Sequence, residues 1–206
     1  MKFISMRTLA ALALALSLAA CGGGKATFTI GGHVSGLFYN GLVLSTNGQT
    51  VTVTPAPTIA TDATALAAYA FPKQLEYGDE YNVTVTTQPA HQSCTVNPYY
   101  ERDTAGRLAA IDIPVSCSLN AYLIGGSISG LTADGLVLTN GSGGGTFTAA
   151  NGATTFTMPA SVVYGTTYGV TVLTQPTGLF CSVANGAGTM GDSAVTSIAV
   201  TCVPAS

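Results

Sequence analysis

The sequence repeats itself over most of its length, and this duplication constrains the fold more than any other feature. The phrase YNVTVTTQPAHQSC at 81–94 returns as YGVTVLTQPTGLFC at 168–181, and GGHVSGLFYNGLVLSTNG at 31–48 returns as GGSISGLTADGLVLTNGS at 125–142. Each copy spans about 90 residues, which is enough for a small domain with a thin core. The duplication therefore predicts two similar domains in tandem.

Both copies carry the pattern of half-buried β-strands. Tyr81, Val83 and Val85 alternate with polar residues, so they fall on one face of a strand. Asn-Gly and Asp-Gly pairs, which are typical of hairpin turns, separate the alternating runs. About seven short strands fit in each copy, the size of an immunoglobulin-type sandwich. The sequence therefore predicts an all-β fold of two tandem Ig-like, seven-stranded antiparallel β-sandwich repeats: repeat one at 26–120 and repeat two at 121–206.

The N-terminus has the layout of an export signal. Lys2 and Arg7 precede an uncharged run from Thr8 to Ala20, which matches the positive and apolar regions of a secretory signal. The run is too short to span a bilayer, which takes about 20 apolar residues. Its last residues, Leu18-Ala19-Ala20-Cys21, resemble the lipobox of bacterial lipoproteins. The resemblance implies cleavage before Cys21 and attachment of lipid to the Cys21 sulfur and the new amine.

On this interpretation residues 1–20 are a lipoprotein signal peptide, and residues 21–25 are the lipidated Cys with a Gly-rich tether. Several acyl chains together give stable membrane anchoring. By resemblance to lipoprotein sorting, Gly22 in place of Asp after the lipidated Cys favours the outer membrane. The predicted location is the bacterial cell envelope, with the protein anchored by lipid in the outer membrane and facing the periplasm or the cell surface.

The chain has five cysteines, of which Cys21 is assigned to lipid. The other four form one pair in each repeat, Cys94 with Cys117 and Cys181 with Cys202, at nearly the same separation. An oxidising envelope compartment favours disulfides. Of the three possible connectivities, pairing within each repeat is the simplest.

Family resemblances follow from the same repeated phrases. LEYGDEYNVTV and VVYGTTYGVTV resemble the segment of fibronectin type III and related Ig-like domains that holds a corner tyrosine, which implies that role for Tyr81 and Tyr168. The order GxVSGL, GLVL, NG, YxVTV is also similar to prealbumin-like surface repeats of the collagen-adhesin B type. The whole repeat resembles tandem repeats of predicted bacterial lipoproteins and surface proteins. These resemblances leave the strand order open between Ig-like and prealbumin-like.

Composition and residue placement argue against several functions. Removal of Lys2 and Arg7 leaves four basic side chains against nine acidic ones, so there is no basic patch for nucleic acid. His91 lies near Cys94, but its counterpart in repeat two is Gly178 and a disulfide would consume the sulfur, which argues against a metal site. Two histidines without a duplicated acid partner do not predict catalysis. We therefore expect no enzyme activity, cofactor or metal.

The most distinctive segment lies between the paired cysteines of repeat one, at 97–107. It concentrates aromatic and charged residues in a chain with few charges, and the candidate binding residues are Tyr99, Tyr100, Arg102 and Arg107. Loops on a rigid sandwich are common recognition sites. A hairpin tip whose charges keep it soluble explains the same residues, and this is the preferred interpretation.

Two functional hypotheses follow. The first is a non-enzymatic cell-envelope lipoprotein that displays two Ig-like repeats in a structural or adhesion role. The alternative is a ligand-binding module that recognises carbohydrate or peptide through loops of repeat one. The expected partners are the membrane, through the N-terminal lipid, and an envelope protein or a glycan, with no nucleic acid.

Overall fold

The computed structural model describes residues 25–108, 110–141 and 143–206, and it consists of β-strands and turns. The predicted signal peptide and Cys21 lie outside these residues. Within the described part of the chain, no helix is long and apolar enough to cross a membrane. The strands form two sets of sheets that separate between Leu119 and Ala121.

Repeat one contains short strands, most of which form two layers. The strands are β1 Thr27–Phe28, β2 Ile30–Ser35, β3 Leu42–Thr46, β4 Gln49–Val53, β5 Leu66–Ala70, β6 Leu75–Glu76, β7 Glu80–Asn82, β8 Thr84–Thr87, β9 Gln92–Val96, β10 Arg102–Thr104, β11 Ile111–Asp112 and β12 Val115–Leu119. One layer has β5, β2, β12 and β9 side by side, with β11 also against β2, and the other has β4, β3 and β8. Two short pairs, β1 with β6 and β7 with β10, complete the repeat.

Repeat two has the same plan. Its strands are β13 Ala121–Tyr122, β14 Ile124–Ser129, β15 Val137–Asn140, β16 Thr146–Thr148, β17 Thr155–Thr157, β18 Val162–Val163, β19 Thr167–Thr174, β20 Leu179–Ala184, β21 Ala187–Thr189 and β22 Val195–Pro204. One sheet has the order β17-β14-β22-β20 and the other has the order β16-β15-β19-β21. The short strands β13 and β18 pair with each other, as β1 and β6 do in repeat one.

Each repeat encloses its own apolar core between its two layers. In β3 the side chains of Leu42 and Leu44 are fully buried while Val43 is only half-buried, as the period-two pattern requires. The core of repeat one includes Ile30, and that of repeat two includes Ile124, its counterpart in the first long strand. The all-β sandwich fold predicted from the sequence is confirmed.

The first long strand of each repeat makes parallel pairings, which the predicted antiparallel arrangement did not include. The first long strand runs parallel to the last, with Val34 of β2 opposite Val115 of β12 and Ile128 of β14 opposite Val200 of β22. The first strand therefore lies inside its sheet, whereas that of an immunoglobulin constant-type sandwich lies at an edge beside the second strand. The alternating pattern determines which face of a strand is buried and not which strand is its neighbour, so the sequence left this order open.

A glycine pair in the first long strand permits this close arrangement. A Cβ atom at Gly32 would lie 2.1 Å from the Ile113 carbonyl oxygen, and one at Gly126 would lie 1.7 Å from that of Ile198. No side chain fits at either distance, because real Cβ atoms do not approach oxygen so closely. The repeated Gly-Gly motif is thus a packing requirement of the layer that holds the first and last strands.

Candidate functional site

Both disulfides join neighbouring strands inside a repeat. Cys94 bonds to Cys117 with an S–S distance of 2.01 Å, and Cys181 bonds to Cys202 at 2.03 Å. In each pair the two cysteines are directly opposite each other, on β9 and β12 or on β20 and β22. This is the within-repeat connectivity expected from the sequence.

A glutamine clamps the backbone of the first cysteine in each repeat. The Gln88 side chain donates to the Cys94 carbonyl at 3.0 Å and accepts from the Cys94 N–H at 2.7 Å. Gln175 makes the same two bonds to Cys181, at 2.9 and 2.7 Å. The sequence analysis did not predict this clamp, although the duplicated spacing from Gln to Cys carried the signal.

The predicted binding segment is divided by β10. Tyr99 and Tyr100 lie in the turn before this strand and are 89% and 47% exposed. Arg102 opens β10 and pairs with Glu101 at 2.6 Å, while Arg107 lies in the turn after it and bonds to Asp103 at 3.2 Å. The four candidate residues are therefore divided among the turn before β10, the first residue of β10 and the turn after it.

A polar groove runs beside β7 and β10. It has a volume of about 560 Å³, and its lining includes Asn47, Glu80, Arg102 and Asp103. Among the residues that the structure describes, no three His, Cys, Asp or Glu side chains come together in an arrangement that could hold a metal ion. The groove can accept a polar ligand through hydrogen bonds.

The junction of the two repeats is the most elaborate arrangement of polar and aromatic groups in the described chain. Asn120 alone separates β12 from β13. Its N–H donates to the His91 carbonyl at 2.9 Å, and its carbonyl accepts from the Tyr164 N–H at 2.8 Å. The connecting residue is therefore hydrogen-bonded to both repeats.

The His91 imidazole is the centre of this junction. Its ring stacks on Tyr164 of repeat two, with 3.9 Å between centroids and 8° between planes. It also meets the ring of Tyr39 edge-on at 4.9 Å. Nδ1 lies 2.8 Å from the Asp192 carboxylate, and Nε2 lies 3.2 Å from the Tyr164 hydroxyl. One side chain of repeat one thus contacts two side chains of repeat two.

Local structure positions each partner. His91 has a φ of 61°, and its counterpart Gly178 has a φ of 72°, so the same left-handed turn precedes β9 and β20. The buried Gln92 side chain accepts from the N–H groups of Phe38 and Tyr39 at 2.8 and 3.0 Å. This holds the turn that presents the Tyr39 ring to His91.

The surroundings of Tyr164 in the junction shift the pKa of its phenol. Partial burial, together with the negative charge of Asp192 and with Tyr39, raises the pKa of the Tyr164 phenol. The phenol therefore stays protonated across the physiological range. The tautomer of the His91 imidazole determines whether Nε2 donates to the Tyr164 hydroxyl or accepts from it.

An Asp-His pair also occurs in hydrolases, where the second imidazole nitrogen activates a nucleophile. Here both nitrogens of His91 already face protein groups, Asp192 and the Tyr164 hydroxyl. The imidazole stacks on Tyr164 and meets the ring of Tyr39 edge-on. This chemistry suits cohesion between repeats and not proton transfer to a substrate.

Sequence reasoning missed the junction because its members are far apart in the chain. His91 and Asp192 are separated by 101 residues. A signal was nevertheless present, since Tyr39, His91 and Asp192 all depart from the duplication: their counterparts are Ala133, Gly178 and Arg107. Differences between the repeats therefore mark three of the junction residues, whereas Tyr164 has Tyr77 as its counterpart.

No protein-family model matches the sequence, and no curated protein matches it. Among solved structures, the chain is similar to the major pilin protein T-13 of Streptococcus pyogenes serotype GAS131465. The sequence identity is 12%, the similarity covers 88% of this chain and 98% of the pilin chain, and the TM-score is 0.31. A similarity this distant assigns neither a family nor a function.

Proposed function

We propose that this chain is a non-enzymatic, lipid-anchored protein of the bacterial cell envelope whose two β-sandwich repeats have a structural or adhesive role. The junction is the observation that carries the proposal. A one-residue connection, two backbone hydrogen bonds and the stack of His91 on Tyr164 couple the repeats. A coupled pair of domains suits a stiff spacer that holds its far end at a set distance from its anchor.

Two further observations support an envelope location. Both repeats carry a disulfide between adjacent strands, as is usual for proteins of oxidising compartments. The sequence places an export signal and a lipobox-like Leu18-Ala19-Ala20-Cys21 before the first repeat. The disulfides and the signal agree on the same compartment.

Two measurements on the native protein test this proposal. Mass spectrometry should find acyl chains on Cys21 at the start of the mature chain, and an unmodified Cys21 would contradict the lipid anchor. Protease added to intact and to permeabilised cells then separates the two roles. Digestion on intact cells supports adhesion at the surface, whereas protection until permeabilisation supports a structural role inside the envelope and excludes surface adhesion.

The exposed aromatic turn of repeat one favours a second candidate function, ligand binding. Tyr99 and Tyr100 are exposed and precede Arg102, which lines a polar groove. Exposed aromatic and Arg residues are frequent in recognition sites. In a screen of the mature domain against glycans and peptides, replacement of Tyr99, Tyr100 and Arg102 by Ala should abolish any binding found. The melting temperature should change little, because these side chains are mostly exposed. Binding that survives the replacement would exclude this turn as the site.

A further inference from the structure

The two repeats have corresponding N-terminal ends, but only one of them is covered by protein in the described chain. In repeat two the Tyr164 N–H donates to Asn120 at 2.8 Å, and in repeat one the Tyr77 N–H donates to Ala26 at 3.0 Å. The next turn also matches, since Gly165 bonds to Met190 and Gly78 bonds to Ala105. Tyr77 is therefore the counterpart of Tyr164, the residue of repeat two on which His91 of repeat one stacks.

The N-terminal surface of repeat one, formed by Tyr77, Arg107 and Leu108, is exposed. Tyr77 is 70% exposed and Leu108 is 50% exposed. Their counterparts in repeat two are Tyr164, which is half-buried in the junction, and Ser193. An aromatic and an aliphatic side chain thus face outward at the end where the chain enters its first domain.

Tyr77 is held in this exposed position by packing. A Cβ atom at Gly106 would lie 2.4 Å from Cδ2 of the Tyr77 ring and 3.3 Å from the Phe28 ring. The Tyr77 ring therefore packs against the turn after β10 at Gly106, where a side chain would collide with the ring. A supported aromatic ring loses little conformational entropy when it binds a surface.

Charges around this surface are nearly balanced. Lys25 pairs with Glu76 at 2.5 Å, and Arg107 bonds to Asp103 at 3.2 Å. The Asp79 carboxylate accepts from the Glu76 N–H at 2.9 Å. Arg107 is the counterpart of Asp192 of repeat two. This surface therefore has no carboxylate at the position where Asp192 bonds to His91 in the junction. The surface offers apolar contact and no strong attraction for an oppositely charged partner.

The chain that precedes this surface limits what can cover it. Four residues, Gly22 to Lys25, separate Cys21 from Ala26, whose carbonyl accepts from Tyr77. The five Cα–Cα steps from Cys21 to Ala26 reach at most about 18 Å when fully extended. If Cys21 carries lipid, Ala26 is held within that distance of the bilayer. The Tyr77 backbone is hydrogen-bonded to Ala26, and the Tyr77 ring packs against Gly106, two residues before Leu108.

We propose that the N-terminal surface of repeat one lies against the membrane, with Tyr77 and Leu108 in the headgroup region. This rests on the lipid anchor of the proposed function. Tyrosine suits the membrane interface because its ring is apolar and its hydroxyl stays hydrated. The contact orients the first repeat on the bilayer, and the junction passes that orientation to the second repeat.

A second copy of the chain fits this surface poorly. The far end of repeat two corresponds to the end of repeat one that carries His91 and Tyr39, and the matching backbone bond joins Ala205 to Gly178 at 3.0 Å. That end has Gly178 and Ala133 in place of the two rings. Head-to-tail stacking of copies would therefore lack both aromatic contacts of the junction.

The sequence contains no Trp, so Tyr77→Trp introduces a single fluorophore at the proposed contact. The full-length variant is purified in its lipidated form and reconstituted in phosphatidylcholine vesicles, with and without bromine on the upper acyl chain. We expect emission at shorter wavelength than in the delipidated protein in buffer, and quenching by the brominated lipid. High salt should not change the quenching, because the nearby charges are balanced.

Phe180→Trp is the matched control, since Phe180 is 57% exposed near the far end of repeat two. Its emission should be the same with both lipids. An acylated protein whose Tyr77→Trp emission resembles the control would overturn the proposed contact and leave the anchor intact. If mass spectrometry finds Cys21 unmodified, the anchor fails. The contact is then tested by coupling the Cys21 thiol to a maleimide lipid, and absence of quenching in that form overturns it as well.

Discussion

Tyr69 and Phe156 occupy matching positions in the two repeats and differ by one hydroxyl. Tyr69 pairs with Gly32 of β2, and Phe156 pairs with Gly126 of β14. The Tyr69 hydroxyl is buried and donates to the Ile113 carbonyl at 2.9 Å. Burial, and to a lesser degree the charge of Asp112, raises the pKa of this phenol. Repeat one thus contains a titratable group in a place where repeat two has none.

Tyr69→Phe tests this difference through pH. At pH 7 the lost hydrogen bond should lower the free energy of unfolding by about 1 kcal/mol. Because the folded pKa is raised above the unfolded value of about 10, the folded state holds this proton more tightly. The stability that it contributes is complete below pH 10 and falls as the pH rises above 10.

Urea denaturation at several pH values between 7 and 11 measures the effect. The wild-type free energy of unfolding should fall more steeply above pH 10 than that of Tyr69→Phe. Tyr99→Phe is the control, because this side chain is 89% exposed. Equal slopes for the wild type and Tyr69→Phe would contradict the assignment.

The glutamine clamp makes a second prediction for single residues. Gln175→Ala removes both bonds to the Cys181 backbone and should cost repeat two about 1–3 kcal/mol, because two partly buried backbone groups lose their partners. Gln88→Ala should cost repeat one a similar amount. Denaturant melts followed by hydrogen exchange of each repeat measure both, and an unchanged midpoint for either variant would show that the clamp does not stabilise its strand.

At the scale of elements, strands β2 and β14 cannot accommodate a side chain at the second glycine of their Gly-Gly pair, which is Gly32 in β2 and Gly126 in β14. Gly126→Ala would place Cβ 1.7 Å from the Ile198 oxygen of β22, so β14 and β22 must separate. Overpacking of this kind costs about 3 kcal/mol or more. We expect repeat two to lose hydrogen-exchange protection while repeat one keeps its own.

Gly169→Ala is the matched control, because nothing lies within 4 Å of a Cβ atom there. Glycine is also less favourable than alanine in a strand, so the control should be neutral or slightly stabilising. A Gly126→Ala protein as stable as the control would refute the close packing of β14 on β22.

The strands show where sequence reasoning succeeds and where it stops. The alternation of Tyr81 and Val83 predicted a strand face, and both side chains are buried in the core. The pairing of Cys94 with Cys117 agreed with the same alternation. The parallel neighbours Val34 and Val115 were not predictable, since periodicity describes one strand at a time. His91, Tyr164 and Asp192 meet only through the relative placement of two domains, which no local pattern encodes.

For the whole molecule, the junction determines whether the repeats move together. His91→Gly deletes the imidazole and keeps a residue that adopts positive φ without strain, as Gly178 does. Loss of the stack should weaken coupling by about 1 kcal/mol while both repeats stay folded. NMR relaxation should then give the two repeats more independent rotational correlation times than in the wild type.

Gly178→His adds the same side chain at the far end, where the described chain provides no counterpart of Tyr164 and Asp192, and serves as the control. It should leave the correlation times unchanged. If His91→Gly tumbles as the wild type does, the backbone bonds of Asn120 alone couple the repeats, and the role assigned to His91 is wrong.

The parallel first and last strands also determine how a repeat bears load. When the two ends of repeat two are pulled apart, β14 and β22 are drawn in opposite directions along their shared axis. The ladder from Ile124 to Ser129 is then sheared, so its hydrogen bonds resist together and do not open one after another. The Cys181–Cys202 bond keeps the chain between these residues from being drawn out. Each repeat is thus arranged to transmit tension along its length with little extension.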